Sequence, residues 1–376
     1  MSIKNIISQN IKNVVGWKTK RKIVVISADD YGNIRVASKE ARERLDKAGL
    51  KNFVPFDKYD SLENEEDLLA LYDTLNSVKD KNGNPAVITA YSVPANINFE
   101  KMIESGYSEY HYELLPETYS KLPGYQNVHA LWKEGISNKL LVPQFHGREH
   151  LNLKVLMHLL NQKDKEVIAC FANRSYTSIS SKPFPTIGYT AAFDFYDFKE
   201  NEGFKDIITD GLNQFEKVFG YRAEYFNPPA AKFSSSLHDT LSSNGIKYMD
   251  AARFHSEHLG SGKYKRKYYY TGKKNSSGIT FMVKNCVFEP VNNPSMDWSR
   301  FCLNQIETAF KWNAPANIGT HRINFCGNVD PENRKKGLTH LKNLLDKIVA
   351  KWPDVEFMSS VQLMDLVSKD KKTINN

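Results

Sequence analysis

The sequence predicts a parallel α/β fold, either a barrel or an open sheet, for its 376 residues. The first strong signal is the β-branched run Lys22-Ile-Val-Val-Ile-Ser-Ala28, which is typical of a strand covered on both faces. Further strand candidates lie at 86–91, 140–145, 317–320 and 355–358. Helical patterns separate several of these strands, and this alternation favours a parallel sheet.

Helices are predicted from apolar periodicity and from end signals at 64–79, 151–161, 233–244 and 330–351. The last of these begins with Asp330-Pro331, and proline is well suited to the first helical turn because its missing N–H is not needed there. No internal repeat or Pro/Ser-rich linker divides the chain. We therefore expect a single domain at 21–368 that contains an insertion at about 50–138. An N-terminal extension at 1–20 precedes this domain, and a flexible tail at 369–376 follows it.

The composition, 41% hydrophobic and 25% charged, is that of an ordinary globular protein. The net charge of +8 permits attraction to anionic partners, but 51 basic residues are scattered among 43 acidic ones. We therefore expect no nucleic-acid partner. The run 263–274 mixes bases with aromatic residues and is interpreted as a solvated strand or hairpin.

The four cysteines are far apart and form no Cys-x-x-Cys pair, so we expect reduced thiols rather than a zinc knuckle. The first 21 residues lack the apolar core of a signal peptide, and no apolar stretch approaches the roughly 20 residues that span a bilayer. These observations predict a cytoplasmic protein without an integral membrane segment. The oligomeric state stays open.

Two polar clusters follow predicted strands, where functional side chains of parallel α/β folds gather. Asp29-Asp30 follows the first strand, although such a pair could also cap a helix beginning near Asn33. His146-Gly-Arg-Glu-His150 follows another strand, and imidazoles four positions apart can converge on one point. An aspartate with two histidines is a ligand set typical of catalytic zinc sites that leave a position for water.

These motifs carry a family resemblance. Ile26-Ser-Ala-Asp-Asp-Tyr-Gly32 and His146-x-x-x-His150 resemble the first two motifs of the NodB-homology polysaccharide deacetylases, carbohydrate esterase family 4. Tyr225-Phe-Asn-Pro-Pro-Ala230 and Ile318-Gly-Thr-His321 resemble the third and last motifs. The chain looks most similar to the bacterial "polysaccharide (de)acetylase" proteins of glycan biosynthesis. The resemblance implies a distorted parallel (β/α) barrel of the NodB type with long insertions.

The resemblance also implies a role for each matching residue. Asp30, His146 and His150 would hold a divalent metal, with Zn²⁺ expected first and Co²⁺, Mn²⁺ or Fe²⁺ as alternatives. Asp29 would be the general base that takes a proton from the activated water, and His321 would be the general acid. The substrate would be an N- or O-acetylated carbohydrate, and the reaction would be hydrolysis of its amide or ester bond.

Several neighbouring residues are expected to bind substrate or support the site. The backbone N–H of Ala230, after Pro229, is a candidate oxyanion donor. Trp298 could stack on a sugar, although a buried indole at a helix start is an equal alternative. Arg322 and Asn324 adjoin the predicted acid.

The third motif departs from the family pattern. Asn227 occupies the place of an arginine that pairs with the catalytic aspartate, and a neutral amide cannot lower the pKa of Asp29 by charge. Arg148, Arg253 and Arg322 are the candidate substitutes, and the sequence does not choose among them.

Three alternatives stay open at this point. The segment Ala28-Asp-Asp-Tyr-Gly32 also resembles the signature of YdjC-type diacetyl-sugar deacetylases, which would leave the reaction class unchanged. A glycan-binding protein that kept the fold and lost the chemistry is the alternative from another functional class. A glycoside hydrolase ranks last, because adjacent carboxylates do not suggest the opposed geometry that this reaction needs.

Overall fold

The computed structural model describes residues 3–185 and 187–374, with side chains from residue 9 to residue 370. Thirteen strands occur in this part of the chain: β1 (Lys22–Tyr31), β2 (Ile88–Ser92), β3 (Ala95–Ile97), β4 (Tyr112–Leu114), β5 (Leu141–Phe145), β6 (Tyr225–Phe226), β7 (Tyr248–Asp250), β8 (Phe254–His258), β9 (Tyr264–Tyr268), β10 (Thr280–Met282), β11 (Cys286–Val287), β12 (Ala316–His321) and β13 (Val355–Met358).

The α-helices of the same described residues are α1 (Ile3–Val14), α2 (Lys39–Lys47), α3 (Pro55–Tyr59), α4 (Glu65–Asn76), α5 (Phe99–Glu104), α6 (Leu115–Lys121), α7 (Val128–Ser137), α8 (Leu153–Asn161), α9 (Lys165–Ala172), α10 (Asn201–Phe219), α11 (His238–Ser243), α12 (Trp298–Lys311), α13 (Pro331–Lys351) and α14 (Ser360–Ile374). Three of the helices predicted from the sequence correspond to α4, α8 and α13. The fourth, predicted at 233–244, is a 3-10 turn followed by the short helix α11.

The predicted parallel α/β barrel class is confirmed. Nine strands form one parallel sheet in the order β10-β7-β6-β5-β2-β1-β12-β11, and β13 pairs with the first half of β1. The sheet curls, but its end strands β10 and β11 do not pair within the described residues, so the barrel is distorted and incomplete. Helix α14 covers the sheet near β1, where Leu363, Met364 and Val367 pack against Ile23 and Val25.

Strand β1 continues three residues beyond the predicted Ala28 and contains both aspartates. Its pairing with β2 shifts register between Ala28 and Tyr31, and Asp30 has a positive φ of 75°. A regular strand would direct consecutive side chains to opposite faces. Because the irregularity reorients the chain, Asp29 and Asp30 both reach the same cavity.

The segment expected to be an insertion, at about 50–138, includes the central strand β2, which pairs with both β1 and β5. The part outside the main sheet is therefore shorter, and it contains the small antiparallel pair β3–β4. The N-terminal extension forms α1, and the Trp17 N–H donates to Thr271 O at 2.8 Å. Helix α14 continues through 374, so most of the predicted tail is helical in the structure; 375–376 lie outside the described residues.

Two further features match the sequence analysis. The basic and aromatic run belongs to the antiparallel hairpin β8–β9, in which Phe254 pairs with Tyr268. The four cysteines are buried and free. No helix of the described residues is both long enough and apolar enough to cross a membrane.

Candidate metal and catalytic site

The carboxyl ends of β1, β5 and β12 meet at one cavity of about 710 Å³. In the parallel pairing of β1 with β12, Asp29 lies opposite His321. The loop after β5 is held against the end of β2 by the His146 N–H, which donates to Ser92 O at 3.0 Å. Gly147, between the two predicted ligands, has φ +98°, and this left-handed turn favours glycine. Strand order therefore brings the distant motifs together.

The predicted metal ligands form a compact, buried group. The ligand atoms of Asp30, His146 and His150 all lie within 4.8 Å of one another. Asp30 Oδ1 lies 3.3 Å from His146 Nε2 and 3.1 Å from His150 Nε2. Each of the three residues exposes less than a tenth of its surface. One cation could contact an oxygen and two nitrogens here.

The hydrogen bonding of His146 is compatible with a bound cation. Its Nδ1 lies 2.7 Å from the carbonyl oxygen of Asn227, which can only accept, so Nδ1 carries the proton. In the neutral imidazole, Nε2 is then an acceptor, and it has no hydrogen-bond donor within the described residues. It faces Asp30 Oδ1, another acceptor. Two buried lone pairs directed at each other are unfavourable unless positive charge lies between them.

The predicted base, Asp29, is paired with a lysine that the sequence analysis missed. Lys284 Nζ lies 2.9 Å from Asp29 Oδ1 and 3.3 Å from Asp250 Oδ2. Burial alone would raise the pKa of Asp29, but the charges of Lys284 and His321 hold that pKa below its ordinary value. Lys284 thus supplies the cation expected from the missing arginine of the third motif.

The backbone leaves room for this lysine at one glycine. A Cβ at Gly319 on β12 would lie only 2.7 Å from Lys284 Cδ, so the lysine stem passes directly over the glycine. A signal for Lys284 was present in the sequence. It follows the apolar run Ile279-Thr-Phe-Met-Val283, just as the aspartate pair follows the first strand.

The predicted acid, His321, is oriented by a second missed residue. Its Nδ1 lies 2.6 Å from Glu289 Oε1, and its Nε2 lies 3.8 Å from Asp29 Oδ2. Burial alone would lower the pKa of His321, but the carboxylates of Glu289 and Asp29 raise it to about 10. The Asn324 side chain donates to the other oxygen of Glu289 at 2.7 Å, so this predicted supporting residue acts through Glu289.

The third motif lies beside the metal ligands. Asn227 holds His146 through its main-chain carbonyl, while its own amide nitrogen is buried without a hydrogen-bond partner in the described structure. Asn227 and Ala230 line the cavity, and Pro229 is buried behind them. Ala230 has φ +52°, which is uncommon for alanine. Its role as an oxyanion donor stays a prediction.

The arginines considered for Asp29 have other partners. Arg148 donates to Glu149 Oε2 at 2.7 Å and to Asp210 Oδ2 at 2.9 Å. Arg322 is almost fully buried and donates to Asp60 and Glu63. These arginines therefore form ion pairs with other carboxylates and do not contact Asp29.

Two other predicted residues also lie apart from Asp29. Arg253 lines the cavity, but its guanidinium donates to the Tyr268 hydroxyl at 2.8 Å. Trp298 is buried at the start of α12, donates to Asn293 O at 2.9 Å and is not among the residues that line the cavity. Trp298 is therefore a buried indole at the start of a helix, which was the alternative to stacking on a sugar.

No protein-family model matches the chain, and no curated protein matches it. Solved structures with a similar course of the chain include a protein assigned as a polysaccharide deacetylase from Mycobacterium smegmatis, with 11% identity over 95% of this chain and 94% of that chain and a TM-score of 0.43. Peptidoglycan deacetylase PdaC from Bacillus subtilis is 10% identical over 94% and 95% of the two chains, with a TM-score of 0.37. The α-amylase AmyC from Thermotoga maritima is 12% identical over 92% and 74%, with a TM-score of 0.46. These structures differ in activity, and the function has to be inferred from the site itself.

Proposed function

We propose that the protein is a metal-dependent hydrolase that removes an acetyl group from an N- or O-acetylated carbohydrate, as a member of the polysaccharide deacetylase superfamily. The observation that carries the proposal is the buried group of Asp30, His146 and His150, in which His146 Nε2 lies 3.3 Å from Asp30 Oδ1 and has no hydrogen-bond partner in the described residues. A base and an acid lie beside this group on neighbouring strands. A cation site flanked by both is the arrangement that hydrolysis of an acyl bond needs.

Asp30, His146 and His150 would hold the metal. When bound, a divalent cation lowers the pKa of water and polarises a carbonyl group. Zn²⁺ is the first expectation because one carboxylate and two imidazoles suit it, and Co²⁺, Mn²⁺ or Fe²⁺ could take the same ligands.

The chain's own residues would carry the protons. Asp29 is ionised because Lys284 and His321 stabilise its charge, so it can accept a proton from the attacking water. His321 is protonated at neutral pH because Glu289 raises its pKa to about 10, so it can protonate the departing amine or alcohol at Nε2. The unpartnered amide of Asn227 and the N–H of Ala230 are candidate donors to the substrate oxygen.

The experiment is an acetate-release assay on acetylated mono- and oligosaccharides with protein of known metal content. We expect one divalent metal per chain, loss of acetate release with a chelator, and recovery when Zn²⁺ or Co²⁺ is restored. A protein that carries the metal and releases no acetate from any acetylated sugar would contradict the proposal.

The same samples test the two alternatives. Glycan binding without acetate release at any metal content would favour a binding protein, an alternative suggested by Asn227 and weakened by the lysine that pairs with Asp29. New reducing ends without acetate would favour a glycosidase.

A further inference from the structure

Three segments that each contribute residues to the lining of the catalytic cavity also carry exposed apolar side chains. On the hairpin β8–β9, Phe254 is 70% exposed, and its ring lies 5.4 Å from that of the exposed Tyr268. At the end of α1, Ile11, Val14 and Val15 are exposed. Single exposed apolar residues are normal on a soluble protein, but a group of them around one cavity is not.

Arg253 connects the hairpin with α1 beside the cavity. It donates to the Tyr268 hydroxyl at 2.8 Å, to Lys12 O, and to Val15 O at 3.3 Å. Arg253 and Lys12 both line the cavity. The loop before α3 supplies a third part of the border, since Val54 lines the cavity and is exposed together with Phe53. We call these three exposed segments the apolar rim.

The rim is strongly basic on its hairpin side. Residues 251–275 contain seven lysines and arginines and a single acidic residue, Glu257, which is buried against Lys267. Lys263, Lys265 and Arg266 at the turn and on β9 are exposed. This charge complements an anionic surface.

We propose that the apolar rim docks the protein on an anionic membrane surface, so that the cavity receives an acetylated sugar carried by a lipid. Valine, isoleucine and phenylalanine side chains beside lysines match the boundary between lipid headgroups and acyl chains. A soluble acidic glycan or a nucleic acid would satisfy the lysines but would leave the aliphatic side chains in water. The lipid-carried substrate rests on the proposed function, whereas membrane docking does not.

The test is co-sedimentation of the metal-loaded protein with phosphatidylcholine vesicles that contain or lack phosphatidylglycerol. We expect binding to the anionic vesicles that weakens at high salt. Phe254→Ser and Lys265→Glu should each lower the partition coefficient roughly five- to tenfold, because each removes one apolar or cationic contact with the surface. Leu69→Ser on α4 and Lys347→Glu on α13 are matched controls, since both positions are exposed and neither helix lines the cavity.

Docking is overturned if anionic vesicles do not bind the protein, or if the control variants lose as much binding as the rim variants. Binding to soluble dextran sulfate but not to vesicles would also overturn it, in favour of a polyanion site. Acetate release from a soluble acetylated sugar should be equal in wild type and rim variants. If vesicles bind and no acetate is released, the proposed function fails while docking stands.

The substrate assignment has its own measurement. Acetate release from an acetylated glycolipid in anionic vesicles should exceed release from the same sugar without its lipid, and the rim variants should lose this advantage. Equal rates on the two substrates in wild type would contradict a lipid-carried substrate.

Discussion

The two halves of the candidate site differ in how their charges are satisfied. Around Asp29, the Lys284 ammonium lies between two carboxylates, and His321 contacts Glu289, so opposite charges face one another. Around Asp30, His146 Nε2 lies 3.3 Å from a carboxylate oxygen and has no hydrogen-bond partner in the described residues. The charges around Asp29 are therefore paired within the protein, whereas His146 Nε2 beside Asp30 has no hydrogen-bond partner in the described residues and is available to a cation.

This contrast matches the two different roles proposed for the adjacent aspartates. The irregularity in β1 sends neighbouring carboxylates into one cavity, yet of the two only Asp29 has a lysine partner among the residues whose side chains are described. A carboxylate held by a lysine stays ionised and can accept a proton. A carboxylate grouped with two imidazoles is instead suited to hold a metal. Substitutions can disrupt either half separately.

The largest effect is expected from removing a metal ligand. His146→Ala should raise the Kd for Zn²⁺ more than about 100-fold and abolish acetate release, since losing even an outer partner of a ligand costs 10- to 100-fold. Metal content after dialysis and competition with a chelator measure this. His158→Ala on α8, whose ring packs on Phe184, is the control and should keep the metal. Full metal retention in the His146 variant would refute the ligand assignment.

Breaking the base should remove turnover without removing the metal. Asp29→Asn should lower kcat by roughly 10²- to 10⁴-fold, because a carboxamide cannot accept the proton. Metal content should remain one per chain. A variant that keeps more than a tenth of the wild-type kcat would show that another group is the base.

Removing Lys284 tests whether the charge pairing around Asp29 is needed for activity. Lys284→Met should lower kcat by roughly 10- to 100-fold, because Asp29 and Asp250 would then face each other without a cation between them. Lys284→Arg should recover part of the activity, and Lys274→Met, an exposed control, should have no effect. If Lys284→Met matched wild type in kcat, the lysine would be structural only.

The grouping of Asp30, His146 and His150 was predictable from the sequence, and the surroundings of Asp29 only in part. Asp30, His146 and His150 follow strong strand signals, and parallel strands place such residues at one edge. The register shift that directs both aspartates inward was not predictable, because it depends on the pairing of β1 with β2. The ion pairs of the buried Arg322 with Asp60 and Glu63 were likewise not predictable, because they depend on how distant segments pack.

Lys284 was missed for a topological reason. It lies 255 residues from Asp29 along the chain and reaches it only because β11 pairs with β12, which pairs with β1. The strand signals before Lys284 and Glu289 are short, and no motif marks them. Pair contacts across a curled sheet are set by strand order, which a single sequence does not specify.

A smaller effect is expected on the pH profile. With a pKa of about 10, His321 is protonated below about pH 10, so acid catalysis should be retained up to that pH and lost above it. Glu289→Gln removes the neighbouring charge and should move the alkaline limb of kcat/KM toward neutral pH. The profile of Glu307→Gln, a half-buried glutamate on α12 that pairs with Lys311 and does not line the cavity, should match wild type. If the alkaline limb of kcat/KM does not move, Glu289 does not control the protonation of the catalytic acid.

The smallest effect is expected at the opposite end of β1, where charge serves stability and not chemistry. Glu356 accepts two hydrogen bonds from Arg21 and pairs with Lys81 at 3.0 Å, and these cations lower its pKa to about 2. Its stabilisation is therefore full above the unfolded-state pKa near 4.5 and is lost as pH falls toward about 2.

Glu356→Gln should accordingly lower the free energy of unfolding at pH 7 by about 1–2 kcal/mol, less than the pKa shift alone implies because Arg21 is partly exposed to solvent. Urea unfolding should show the difference from wild type shrinking as pH falls toward about 2, because the glutamate then takes up its proton in both states.

Glu332→Gln, which breaks an exposed pair with Lys335, should change stability little at either pH. Metal content and acetate release should be unchanged in both variants, because neither carboxylate lines the cavity. A Glu356 variant that lost activity while remaining folded would show that the two ends of β1 are coupled.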